Sequence, residues 1–286
     1  MKKILGTGVA FALLAGTAFA ADITVKAPIL KAAPAPLWDI AIGGSIASDY
    51  NFRGISQSDR GPSPSAYFEL QYNASFGQLY AGVASYGVDL SGDVGLSDPS
   101  SEVDLTIGWR NTYGKFSIDI GYQYYWYPNE TFNTDFQEFY VKTAYAVTPN
   151  LTFGLNAFYT PDLLNQSLFA GTDVDAVYYS GTVKWVTPWT SGNWGSFISG
   201  ELGYWDINFV PGFHLVDPSY TYWNAGFALT YKAITIDFRY HDTDHNTASC
   251  GAVLGIPGVV NRASQTYCSE AFIVKVSFDT LLSKVK

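Results

Sequence analysis

In this chain of 286 residues, 8 Trp, 21 Tyr and 19 Phe outnumber the 16 basic and 25 acidic residues, and only 14% of positions are charged. Soluble domains run at about 25% charged, so an ordinary soluble surface is hard to build from this composition. A hydrophobic content of 48% excludes a disordered chain, the formal charge of −9 excludes a basic nucleic-acid stripe, and two cysteines exclude a disulfide-dense small domain.

The chain begins with Met1-Lys2-Lys3, an apolar run over 4–14, and the small-x-small site Ala18-Phe19-Ala20. That is the layout of a cleavable secretory signal over residues 1–20. Losing Lys2 and Lys3 leaves the mature chain still more acidic. Residues 21–36 are rich in Ala and Pro and read as an extended periplasmic linker. Beyond residue 20 no apolar run is long enough for a membrane helix.

From there the hydrophobic period is two. Phe116, Ile118, Ile120, Tyr122, Tyr124 and Trp126 alternate with Ser117, Asp119, Gly121, Gln123, Tyr125 and Tyr127. Residues 102–110 and 234–241 repeat the pattern. About twelve strands follow, near 38–54, 64–75, 79–90, 101–112, 115–127, 136–147, 151–160, 174–186, 194–206, 220–231, 233–242 and 268–279. They are long enough to cross a bilayer at a tilt. Their connections alternate between short and long, as in a barrel with tight periplasmic turns and long outer loops. The expected fold is all-β, a transmembrane antiparallel β-barrel over residues 37–279 with a C-terminal tail at 280–286. The competing fold, a secreted β-sandwich, has shorter strands and no aromatic ends such as Tyr122, Tyr124 and Trp126. The last strand, with Phe272, Val274, Val276 and Phe278 alternating, is the kind of segment that barrel-assembly machinery reads, although Asp279 to Lys286 follow it.

Residues 48–58, SDYNFRGISQS, closely resemble the opening motif of the TorF-type porins, a proteobacterial outer-membrane family also called Gcw_chp. Further matches are YGKFSIDIGYQYYWYP at 113–128, FQEFYVKTAY at 136–145 and YHDT at 240–243. The segment VKAPILKAAPAP is similar to the leaders of alphaproteobacterial outer-membrane proteins. The resemblance spans roughly 38–279. It implies an outer-membrane barrel with a pore role, and it implies the fold more firmly than any cargo, because the family's substrates are poorly defined.

If Ile40, Ile42 and Ile46 face lipid, strand parity places Asp49, Arg53, Glu69, Glu102, Asp104, Arg110, Asp119, Glu138, Lys142, Lys184, Glu201, Asp237, Arg239 and Lys275 in the lumen. A charge on the lipid side costs ~2–4 kcal/mol at midplane. These groups either line a narrow aqueous channel or pair across the lumen and fill it, since twelve strands lie between barrels that side chains fill and barrels that hold a clear pore. The acid excess points to cations over anions. Asp49 and Arg53 would stand ~13 Å apart along one strand at ~3.3 Å per residue, each pairing with a neighbouring strand. Arg53 is the candidate constriction or ion-pair residue.

Cys250 and Cys268 bracket the last outer loop. In an oxidising compartment they are expected to form a disulfide, contributing about 3 kcal/mol. His241-Asp242-Thr243-Asp244-His245 could hold a divalent metal, but a solvated loop edge is the commoner meaning; no metal or other cofactor is expected. No GxSxG, Walker or HExxH motif occurs, and no His sits where a lipid-facing phospholipase would need it, so no enzyme is expected. The expected function is a porin-like outer-membrane channel for ions or small polar solutes. The alternative is a barrel with a filled lumen that displays its outer loops for adhesion or envelope contacts. The partners are outer-membrane lipid, the assembly machinery and the solute; oligomeric state is not set by the sequence.

Overall fold

The computed structural model describes residues 36–90, 99–214, 216–246, 249–250, 253 and 267–285. The expected signal peptide at 1–20, the linker except its last residue, and the final residue of the tail lie outside the described residues. The strands are β1 (Trp38–Ala47), β2 (Asn51–Phe52), β3 (Ile55–Ser56), β4 (Ser63–Ala74), β5 (Gly77–Gly87), β6 (Ser101–Tyr113), β7 (Phe116–Trp126), β8 (Phe136–Thr148), β9 (Leu151–Thr160), β10 (Ala176–Val186), β11 (Trp194–Ile207), β12 (Tyr220–Tyr231), β13 (Ile234–Thr243) and β14 (Ala271–Leu281). All but β2 and β3 form one closed antiparallel barrel of twelve strands. β1 closes the ring: Ile46 stands opposite Val276 of β14 and Pro64 of β4. Closure pairs every strand on both sides, which hydrocarbon demands of a backbone.

Burial is inverted relative to a soluble core. Ile107, Leu155 and Leu202 on the outer wall are 60%, 69% and 62% exposed, whereas Asp104 and Glu138 are 1% and 0% exposed. The alternation fixes this strand by strand: in β7 Phe116, Ile120 and Trp126 face out while Ser117, Asp119, Gln123 and Tyr125 are buried. Exposed Trp38, Tyr113, Tyr145, Trp185 and Trp194 ring the short-turn end, and Trp126, Tyr159, Tyr179 and Phe272 ring the loop end. Aromatic rings favour these two interfacial levels.

Several strand boundaries shift by two or three residues from the sequence expectation, and two differences bear on the interior and the closure of the barrel. β1 stops at Ala47 instead of running to residue 54, so Asp49 and Arg53 are not on a barrel strand. Ten residues already suffice to cross the bilayer at a tilt. The chain then turns into the barrel as a β2–β3 hairpin, with Asn51 opposite Ser56 and Phe52 opposite Ile55. Its turn residues Arg53 (φ 49°) and Gly54 (φ 90°) are both left-handed, the two-residue geometry that matches strand twist. A Cβ at Gly54 would collide with the Thr243 methyl, so glycine is required by the packing as well as by the turn. At the other end, β14 takes in Thr280 and Leu281, which the sequence assigns to the tail. The turn Leu282–Lys284 follows, and the Ser283 hydroxyl donates to Asp39 at 2.5 Å, holding this segment against β1.

The hairpin and the outer loops share one apolar cluster that includes Phe52, Ile55, Trp205, Tyr220, Val253, Cys250 and Cys268. Cys250 and Cys268 are disulfide-bonded, so the last loop is tied into the cap of the barrel. A closed barrel of this kind resists detergent until boiled. Purified protein is therefore expected to run at different positions on gels with and without boiling; a single position, together with solubility in the absence of detergent, would contradict the barrel.

Candidate functional site

The sequence-derived candidates on strands, Glu69, Glu102, Asp104, Arg110, Asp119, Glu138, Lys142, Lys184, Glu201, Asp237, Arg239 and Lys275, lie on inward-facing positions. They do not form a single site. The inserted hairpin divides them into groups.

The hairpin tip makes the central group. Arg53 donates two parallel hydrogen bonds to Glu138 of β8, at 2.8 and 2.9 Å. The rings of Phe52, Phe158, Tyr178 and Trp205 surround the guanidinium, with centroids 4.3 to 4.9 Å from its central carbon. Glu138 also accepts from the Tyr125 hydroxyl at 2.8 Å and the Thr160 hydroxyl at 2.9 Å. The Arg53 carbonyl accepts from the Tyr220 hydroxyl at 2.8 Å. A chain that leaves β1 is thus fixed to β8, β9, β10, β11 and β12 across the barrel.

The base of the hairpin is anchored separately. Asp49 accepts from the Ser56 and Ser58 hydroxyls at 2.6 and 3.0 Å and pairs with Arg60 at 3.0 Å. Arg60 reaches on to the Ser269 carbonyl at 2.5 Å. The Tyr50 ring stacks on Tyr86 with centroids 4.9 Å apart, and its hydroxyl donates to Glu102 at 2.5 Å. Glu102 also accepts from Tyr127 at 2.6 Å, and Asp104 from Gln123 at 2.8 Å.

Nearer the short-turn end, Glu69 pairs with Arg110 at 2.5 Å. Asp119 accepts from Tyr80 at 2.5 Å, and the Tyr80 and Tyr140 hydroxyls are also 2.5 Å apart. Gly121 leaves the space that the Tyr140 ring end occupies; a Cβ there would overlap it. Lys142 lies over the Tyr140 ring at 4.2 Å and Lys184 over Phe197 at 3.9 Å. Glu201 accepts from Tyr178 at 2.8 Å and from the Asn224 amide at 3.3 Å, joining Asn224 to the central aromatic cage.

The wall formed by β13, β14, β1 and β4 differs. The hairpin does not press against all of it, and a polar cavity remains there. Asp49, Asn51, Asp237, Arg239, His241 and Lys275 are among its lining residues. Arg239 clasps Asp237 at 3.0 and 2.9 Å and donates to Asn224 and Ser199 at 2.6 and 2.7 Å.

The two ends of the HDTDH segment serve different partners. His241 Nδ1 is 2.8 Å from the Tyr222 hydroxyl. The His245 ring packs at a tilt against Tyr220 with centroids 3.9 Å apart, and its Nδ1 is 2.9 Å from the Ser249 hydroxyl. Among the described residues no group of three or more His, Cys, Asp or Glu side chains could hold a metal ion.

Sequence reasoning missed the hairpin and, with it, Arg60 and the caging rings. The signal was present: residues 38–54 are too many for one crossing, and Arg53-Gly54 sits between apolar residues as a turn pair does.

Breaking the clasp tests its weight. Arg53→Ala strands a buried carboxylate and is expected to cost about 3–5 kcal/mol, read as a lower urea midpoint for unfolding in detergent micelles. Combining it with Glu138→Ala should cost less than the two single changes added together; simple additivity would assign the pair no coupling.

Burial pushes the imidazole of His245, outside the strands, down to about 4 from its ordinary 6.5, against the smaller pull of Asp244. The unfolded chain then binds the extra proton first. The stability His245 contributes is whole above pH 6.5 and is lost as pH falls toward 4. Protease cleavage of the outer loops should rise across that interval, and less so in His245→Gln; an identical rise in the variant would remove His245 from the account.

Residues 31–278 match the model of a family described as a bacterial protein of unknown function, Gcw_chp. Among curated protein sequences none is significantly similar to the chain. Solved structures resemble the chain at low identity. A NanC porin structure in a rhombohedral crystal form aligns with TM-score 0.50 and 12% identity over 84% of this chain and 98% of that one. The KdgM porin gives 0.47 and 10% over 83% and 98%, and the COG4313 outer membrane channel from Pseudomonas putida F1 gives 0.44 and 11% over 90% and 100%. At such identities the likeness concerns the barrel architecture alone. By the match over most of its length, the chain belongs to the Gcw_chp family.

Proposed function

We propose that this protein is a narrow outer-membrane channel for passive diffusion of ions or small polar solutes, exported by a signal over residues 1–20 and inserted by the barrel-assembly machinery. The reading is non-enzymatic. The observation that carries it is the polar cavity beside the hairpin, along β13, β14, β1 and β4. In a barrel meant only to be filled, that wall would be closed by packed side chains. Here it keeps hydroxyl, carboxylate, guanidinium and ammonium groups around open space, a lining that replaces the hydration of a passing solute. With the hairpin inside the lumen, a passage along this side would be narrow, so each opening should conduct weakly.

A second reading is a filled barrel that presents its outer loops. The complete burial of Glu138 and Thr160 and the apolar cap at the mouth favour it. Planar-bilayer recording separates the two. The channel reading expects small, reproducible conductance steps, and severalfold larger ones when residues 50–58 are replaced by a short Gly/Ser linker. Silence from folded wild-type barrel would leave the display reading.

A further inference from the structure

The polar cavity beside the hairpin has charged groups in its walls but no charge to spare. We propose, resting on the channel reading above, that it is a binding site for small uncharged polyols, which pass through it more readily than ions do.

The lining holds two acids, Asp49 and Asp237, and two bases, Arg239 and Lys275, so its formal charges cancel. Each of the four is already engaged. Asp49 accepts from the Ser56 and Ser58 hydroxyls and pairs with Arg60. Asp237 is clasped through both oxygens by Arg239. Lys275 stands opposite Asp237 in the strand register and is engaged as well. An ion entering this space sheds hydration that only an uncommitted opposite charge would replace. A neutral hydroxyl loses far less. The cavity has a volume of about 60 Å³, room for about four to six waters at ~10–15 Å³ each, and so for a solute of a few carbon atoms.

The groups left over are neutral, and they match hydroxyls. The Asn51 side chain lines the cavity and is 3% exposed. Its Oδ1 accepts from the Gly54 amide at 2.8 Å, which fixes the orientation of the group. Its Nδ2 has no acceptor among the described residues. A buried N–H without a partner is costly, and a solute oxygen would satisfy it. A second donor follows from a chain of orientations. Arg239 donates to Asn224 Oδ1 at 2.6 Å, so the Asn224 Nδ2 donates to the Tyr222 hydroxyl at 2.8 Å. That hydroxyl places its own hydrogen on His241 Nδ1, 2.8 Å away. The imidazole proton is then on Nε2, and His241 lines the cavity. The Ser45 and Ser65 hydroxyls, 2.8 Å apart, add lone pairs and the one hydrogen that their mutual bond leaves unused. A polyol both donates and accepts, so it satisfies all of these groups. Its carbon skeleton packs against the rings of Tyr50 and Tyr86, which also line the space.

The test is the swelling rate of liposomes carrying the full mature protein, in iso-osmotic erythritol and in iso-osmotic potassium chloride, each corrected for protein-free liposomes. Erythritol is expected to enter severalfold faster than the salt, although it is larger than either ion. An unselective water-filled passage gives the opposite order. Asn51→Asp keeps the acceptor for Gly54 but removes the donor and adds a charge. Ser65→Ala removes a lining hydroxyl without touching the hairpin, and it serves if the first variant fails to assemble. Each should slow erythritol about fivefold, the worth of one ordinary hydrogen bond. Salt entry as fast as erythritol entry, or variants that admit erythritol at the wild-type rate, would overturn the proposal while leaving the channel reading intact. Entry of neither solute would remove both.

Discussion

A guanidinium buried in the middle of a barrel has to be paired, and Arg53 is paired on every side. Glu138 takes two of its donors, and four aromatic rings cover its faces. The rest of the interior is arranged around that requirement. The chain must leave β1 early to carry Arg53 across. Gly54 must turn tightly beside Thr243. Tyr125 and Thr160 must complete the carboxylate's hydrogen bonds, because a carboxylate with no exposure has no water to do so. Removing either charge leaves the other stranded, which makes the hairpin a structural part of the barrel and not a loop resting in its mouth.

This clasp also decides what space is left. By reaching toward β8 to β12, the hairpin places its tip on the far side of the lumen and its base, around Asp49 and Asn51, next to β13, β14, β1 and β4. An eccentric polar cavity follows from an eccentric plug.

Much of the architecture was legible in the sequence. The period of two in stretches such as 116–127 is a direct image of a wall with lipid on one face, and the short–long alternation of connections follows from it. Parity placed the strand-borne charges, among them Glu138 and Asp237, because parity is local. Arg53 shows where that logic ends. Extending the alternation from Ile46 through Asp49, Asn51 and Arg53 gives the right side of the wall and the wrong structure, since a hairpin entering the lumen also has an inward side. Which residue meets Arg53 is a contact between positions far apart in sequence, and no period encodes it. The stacked tyrosines illustrate the same limit: Tyr50 and Tyr86 each read as one more aromatic, and only the fold brings them face to face.

The central claim is that water reaches the lumen along one wall and not the other. Cysteine accessibility measures this directly in folded protein, since the native cysteines are bonded to each other. Ser65→Cys places a thiol in the cavity lining, and Ser180→Cys places one on the opposite wall, where the serine is buried beside Asn156. The account predicts that a small water-soluble thiol reagent modifies the first in the intact barrel and reaches the second only after unfolding. Equal labelling of the two, or faster labelling at position 180, would contradict it.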